Sequence, residues 1–236
     1  MLYKYETHLH TKEASKCAVS AGSEYIAAYK RAGYAGIFVT DHFFGGNTAI
    51  DRTLSWQERI EQYCAGYENA RAEAERQNKA DGGDFQVFFG IEQTFDGDDY
   101  LIYGLDSSWL LHHPEAETMR HGEFFDAVNS AGGLMIQAHP FRLRHYIKAI
   151  HLHPREVHGV EVYNGGNQPS ENELAALYAR IYDFPATSGS DIHSIDFALE
   201  AKTEGKMKLG GMAFDTPLKS VADYIARIKN KEGTLL

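Results

Sequence analysis

The sequence predicts an α/β fold with a barrel-like (β/α) arrangement, and three observations point there. Short apolar, strand-like runs alternate with helical patterns along the whole chain. Six or seven such runs are each followed by a helix or a long loop. Imidazole and carboxylate side chains recur where the runs end. An open doubly wound sheet is the alternative arrangement of the same elements.

The elements follow in order. Residues 2–9 read as a first strand, 23–32 as a helix stopped by Gly33, and 36–40 as a short buried strand. Ser55-Trp56-Gln57-Glu58 is a capping box that opens one long helix, running to about Lys79 before Asp81-Gly82-Gly83 ends it. Residues 86–91 and 100–103 read as strands, and 123–131 as a helix closed by Gly132-Gly133. Residues 134–138 and 159–163 follow as strands. Ser170 caps a helix to about Tyr182, Pro185 to Thr187 begin another strand, and 220–229 form the closing helix.

At 236 residues the chain fits one large domain and needs no staples, since a domain of this size buries roughly 70–75% of its unfolded surface. Cys17 and Cys64 are the only cysteines, which argues against a disulfide framework and reads as reduced thiols. The N-terminus lacks the apolar core of a signal peptide and no later run is long enough to span a bilayer, so a cytoplasmic protein without membrane attachment is expected. The formal net charge of -10 disfavours long nucleic acid, whose binding is driven by Lys and Arg displacing counterions. A small phosphorylated substrate or a short oligonucleotide stays compatible, because bound divalent cations reverse the local sign.

The first strand ends in His8-Leu9-His10, whose imidazoles share a face because side chains alternate along a strand. Asp41-His42 ends the second strand, Glu92 the third, His139-Pro140 the fifth, and Asp191-Ile192-His193 the last. In a β/α barrel these C-terminal strand ends converge on one face. A lone histidine there is more often a hydrogen-bonding cap; the joint pattern is what points to metal. Imidazole with carboxylate, without thiolate, suits zinc, manganese or iron. The other seven of the 12 histidines (His112, His113, His121, His145, His151, His153 and His158) fall in loops or helical stretches and read as solvated.

In order and spacing, His8-Leu9-His10-Thr11, Val39-Thr40-Asp41-His42, Gly90-Ile91-Glu92, Gln137-Ala138-His139-Pro140 and Ser188-Gly189-Ser190-Asp191-Ile192-His193 resemble the polymerase and histidinol phosphatase (PHP) superfamily across almost the whole chain. The resemblance implies a distorted (β/α)7 TIM-like barrel, a single domain over 1–236, two or three divalent ions, and phosphoesterase activity. It implies one ion on His8, His10, Glu92 and Asp191, with Glu92 bridging to a second ion on His139. A third ion would use His42 and His193, and Asp41 would support ligands without being one. Two departures stand out. The stretch Glu13-Ala14-Ser15-Lys16-Cys17 holds no histidine or aspartate for the third ion, leaving Glu13, Cys17 or the charge of Lys16. The strand after Glu92 offers Asp99 where the family often has histidine, which tilts the site toward manganese or magnesium.

The expected chemistry is hydrolysis of a small phosphate ester by metal-bound hydroxide, since coordination lowers the pKa of water to about 7. Asp191 and His193 would orient the water or protonate the leaving group. Arg142, three residues after His139, would clamp a phosphate or form a surface salt bridge, and Asn164 would contact substrate. A histidinol-phosphatase-like enzyme, an exonuclease acting on short oligonucleotides, a metal-dependent amidohydrolase and a non-catalytic metal-binding module remain alternatives.

Overall fold

The computed structural model describes residues 2–145, 147–200 and 209–236. Strand β1 (Tyr3–Glu6) leads to α1 (Gly22–Arg31) and β2 (Gly36–Val39), followed by α2 (Trp56–Tyr63) and α3 (Ala65–Asp81). The long strand β3 (Gln86–Phe95) turns directly into β4 (Asp98–Tyr103). Then come α4 (Ser107–His112), α5 (His121–Ser130), β5 (Leu134–Gln137), β6 (Gly159–Asn164), α6 (Pro169–Ile181) and β7 (Ala186–Gly189). The chain ends with α7 (Ile195–Glu200), β8 (Met212–Phe214), α8 (Val221–Lys229) and β9 (Thr234–Leu235).

Among the described residues nine strands join one sheet in the order β7-β6-β5-β4-β3-β2-β1-β8-β9. A parallel bridge between Leu9 and Ile192 brings the β1 end of the sheet back to β7, so seven strands nearly close into a barrel. The sheet is a distorted TIM-like barrel, and the open doubly wound alternative is set aside by that bridge. Strand β8 pairs antiparallel with β1, and β9 pairs antiparallel with β8.

Three departures from the sequence expectation have local causes. The first strand stops at Glu6 instead of residue 9, because the buried Glu6 carboxylate takes the backbone N–H groups of Thr7, His8 and Ser190 out of the ladder. The expected single helix over 55–79 is two. The Ser55 box does cap α2, but the chain bends at Cys64, and Gly66 in α3 then presses close to Gly22 of α1 and to Thr11. The helix expected after a Ser170 cap begins two residues earlier, with Gln168 at its N-cap and Pro169 first.

The most consequential departure is β4. Asp96 and Gly97, both at positive φ, make the two-residue turn of a β-hairpin, so β4 runs antiparallel to β3 and β5. The start of β4 therefore lies at the barrel rim where its parallel neighbours end. Asp99, Leu101 and Tyr103 share one face of β4. Leu101 and Tyr103 pack with Tyr5, Phe38 and Ile136 against Tyr224 of α8, an apolar floor below the polar rim. Among the described residues no helix is long and apolar enough to cross a membrane.

Candidate metal centre

Glu92, fully buried, occupies the middle of the rim. Its Oε1 lies 3.0 Å from His8 Nε2 and 3.3 Å from His139 Nε2. Its Oε2 lies 2.7 Å from His42 Nδ1 and 3.3 Å from His10 Nε2. Asp191 Oδ1 faces the same two imidazoles, 3.4 Å from His8 and 3.2 Å from His10. The structure thus brings together His8, His10, His42, Glu92, His139, Asp191 and His193, with Asp99 Oδ2 at 3.8 Å from His139.

Three of the imidazoles, those of His8, His10 and His193, are held through Nδ1. His8 Nδ1 lies 2.9 Å from Glu161 Oε1, fixing Nε2 toward Glu92. His10 Nδ1 pairs with Ser15 Oγ at 3.1 Å, and that hydroxyl donates to Asp41 Oδ1 at 2.7 Å. Asp41 also takes the Thr11 N–H and hydroxyl, so it supports His10 from behind without facing the centre. His193 Nδ1 sits 2.8 Å from the carbonyl of Asp191. His139 and Asp191 are held at φ 30° and 56°, in a region non-glycine residues avoid, by Glu161 accepting the His139 N–H and His8 accepting the Asp191 N–H.

The electrostatics are those of a cation site whose protons stand in for ions. Burial would push the Glu92 carboxyl up, but His42, His8 and His10 hold it well below the usual carboxylate range. Burial likewise opposes ionised Asp191, yet Arg142 and His8 keep it well below. Burial disfavours charged His8, and Glu161, Asp191 and Glu92 reverse this and hold it well above ordinary imidazole. Asp99 is pushed up by burial and by Glu92. Glu92 Oε2 and His42 Nδ1 are both buried and 2.7 Å apart, yet neither is aligned in a hydrogen bond. Two orphaned ligand atoms in contact fit a shared divalent cation, and the imidazole and carboxylate set is one that such ions take.

Several sequence readings change here. Arg142 is no surface salt bridge: it lies mostly buried, with Nη2 2.7 Å from both Asp191 Oδ2 and Asn164 Oδ1, and Nε donating to Asn167. Asn164 is fully buried, and its amide nitrogen donates to Glu161, so it braces Arg142 and Glu161 and offers no open face to a substrate. Glu13 accepts from Gly22 N–H and Asn69 at the start of α1, away from the centre. Cys17 is exposed at the rim, where the imidazoles of His193 and His42 overcome burial and lower its thiol to about 5. Of the seven histidines read as solvated, His121 is buried.

Two supporting residues, Glu161 and Ser15, escaped the sequence reading. A register shift in β6 between Glu161 and Tyr163 inserts a residue, so Glu161 and Asn164 face the same side although they are three apart. Strict alternation would have set them on opposite faces.

No family model and no curated protein matches the chain. Among solved structures the chain is similar, over its whole length, to a two-domain protein from Bacteroides vulgatus described as containing a predicted PHP-like metal-dependent phosphoesterase. The TM-score is 0.69 at 16% identity, and the match spans 65% of that protein. It is similar over 98% of its length to the lesion-specific endonuclease EndoQ of Pyrococcus furiosus, covering 56% of it, with TM-score 0.56 and 12% identity. An amidohydrolase from Chromobacterium violaceum matches over 98% of this chain and 97% of its own, with TM-score 0.55 and 14% identity. The shared property at these identities is the barrel fold.

Proposed function

We propose that the chain is a PHP-type metal-dependent phosphoesterase acting on a small phosphate ester: a phosphomonoester, a nucleotide or a short oligonucleotide. The observation that carries the reading is Glu92, one carboxylate in contact with four imidazoles contributed by three other segments of the rim. The fold likeness to a phosphoesterase-type domain and to an endonuclease supports the same class of bond.

In this reading His8, His10, Glu92 and Asp191 hold one ion, while Glu92, His139 and Asp99 hold a second. His42, His193 and Cys17 hold a third, Cys17 standing where the family often has histidine or aspartate. Bound divalent ions supply the Lewis acidity that makes a nucleophile from water at neutral pH and offsets charge on the phosphate. Asp191 would hold the ion through Oδ1, which faces His8 and His10, while Arg142 fixes the carboxylate through Oδ2. Arg142 presents guanidinium charge to the phosphate beside Asp191, and Asn164 keeps it in place. Among manganese, zinc, iron and magnesium, the imidazole-rich set favours the first three, and a thiolate at Cys17 favours zinc or iron at the third position.

The test is phosphate release from phosphomonoesters and short oligonucleotides by protein stripped of metal and reloaded with manganese, zinc, iron or magnesium, with Glu92→Ala in parallel. Metal-restored turnover that Glu92→Ala lacks is the expected result. Stoichiometric metal binding with no phosphate release from any ester overturns it. Because the amidohydrolase likeness spans nearly all of both chains, amides and lactones belong in the panel. Turnover of those alone would move the reading to that class.

A further inference from the structure

On the outer wall of the β3–β4 hairpin lies a second cluster that the barrel centre does not use. Neighbouring residues on β4 face opposite sides, so while Asp99 faces the rim, Tyr100 packs outward against His121 and His153, with ring centroids at 4.5 and 6.3 Å. His121 opens α5, and His153 and Glu156 come from the segment between β5 and β6, in a turn where Glu156 N–H donates to the His153 carbonyl. The two imidazoles overlap at 4.1 Å with 33° between their planes. Both turn Nδ1 to a single oxygen, Glu156 Oε2, at 3.0 Å from His121 and 3.8 Å from His153.

We propose that His121, His153 and Glu156 form a second metal site, for a zinc-like divalent ion, on the outside of the barrel. Two imidazole nitrogens and one carboxylate oxygen, all within 4.8 Å of one another, are a ligand set of the kind zinc takes when a fourth position is left to water. His121 is 7% exposed, and its Nε2 has no hydrogen-bond partner. A buried polar atom without a partner is unusual in a folded core and sets His121 apart from the solvated histidines. Gly122 leaves the room that Glu156 needs: a Cβ there would stand 3.2 Å from Glu156 Oε1. A cavity of about 600 Å³ lined by Thr94, Asp96, His121, Glu123 and Glu156 gives solvent and ion a way in. His151 does not join, because its Nδ1 is taken by Asp98 at 2.5 Å.

The site stands independently of the phosphoesterase reading, and its test uses zinc alone. The full chain, stripped and dialysed against zinc, is compared with His153→Gln and Glu156→Gln by counting zinc equivalents per chain. Each variant is expected to hold one equivalent fewer than the parent while keeping its circular dichroism spectrum. Glu92→Ala, which alters only the barrel centre, should retain the equivalent that the other two lose. An unchanged zinc count in folded His153→Gln and Glu156→Gln overturns the proposal. Should His153→Gln fail to fold, Glu156→Gln, whose side chain is about half exposed, still decides it.

Discussion

Arg142 Nη2 lies 2.7 Å from Asp191 Oδ2, so one oxygen of this carboxylate is bound to a fixed cation while the other faces His8 and His10. The pair divides Asp191 between charge neutralisation and the rim. Arg142→Ala should weaken the ion held by His8, His10 and Asp191 by about 10–100-fold, the usual effect of losing a group that orients a ligand. It should raise KM for a phosphate ester more than it lowers kcat, if the guanidinium binds ground and transition states alike. Metal titration and steady-state kinetics on the same preparation check both, and unchanged values in both would reduce Arg142 to a structural pair.

Glu161 reaches the centre through His8, the His139 backbone and Asn164. Glu161→Gln keeps size and one hydrogen bond but removes the charge that favours the inward-facing His8 Nε2. Metal affinity should fall by about 10–100-fold with the fold intact. The check is competition with a chromophoric chelator. Affinity equal to the parent's would show that the His8 tautomer needs no carboxylate.

Cys17 should report a third ion spectroscopically. Cobalt-loaded protein is expected to show a thiolate-to-cobalt charge-transfer band in the near ultraviolet, and Cys17→Ser to lose that band while binding at Glu92 persists. Alkylation of Cys17 should also slow once metal is bound. A band absent from the parent protein, with alkylation unaffected by metal, removes Cys17 from the ligands.

His158 should make the fold sensitive to acid. Its Nδ1 accepts the Met135 N–H at 3.0 Å, which requires the neutral ring, and burial together with Lys229 lowers its pKa to about 4. The unfolded chain takes this proton near 6.5. The neutral imidazole's contribution is therefore complete above about 6.5 and is lost as pH falls from there toward about 4. Urea unfolding from pH 7 to 4 should show that loss, and His158→Asn, which keeps an acceptor near Nδ1, should flatten it. An equal slope in both proteins would place the acid sensitivity elsewhere.

Much of the rim was legible because strand ends announce themselves: His8 and His10, Asp191 and His193 sit two apart, and alternation alone puts each pair on one side. Asp99 was legible as a residue but not as geometry, since only the reversed direction of β4 carries it to the rim. Glu161 and Ser15 were hidden for different reasons. A bulge breaks the alternation that would have paired Glu161 with Asn164, and Ser15 acts through a loop whose path depends on contacts with Asp41, far along the chain. Arg142 was found by spacing, but its partner Asp191 stands 49 positions away, a pairing that local sequence does not encode. The helix break at Cys64 followed from close packing of Gly66 on Gly22, which no helical period reveals.

The Leu9–Ile192 bridge has a further consequence. The ring meets itself along a short seam with few backbone bonds, among them His10 N–H to the Ile192 carbonyl and Asp191 N–H to His8. The proposed ligands lie on both lips of that seam: His8 and His10 on one, Asp191 and His193 on the other. An ion bound there works as a buckle, and the barrel's circumference becomes a property of its cargo. Chelation should then speed amide exchange first at His10, Asp191 and Ile192, leaving β4 to β6 protected, so that the molecule unzips where its chemistry is done.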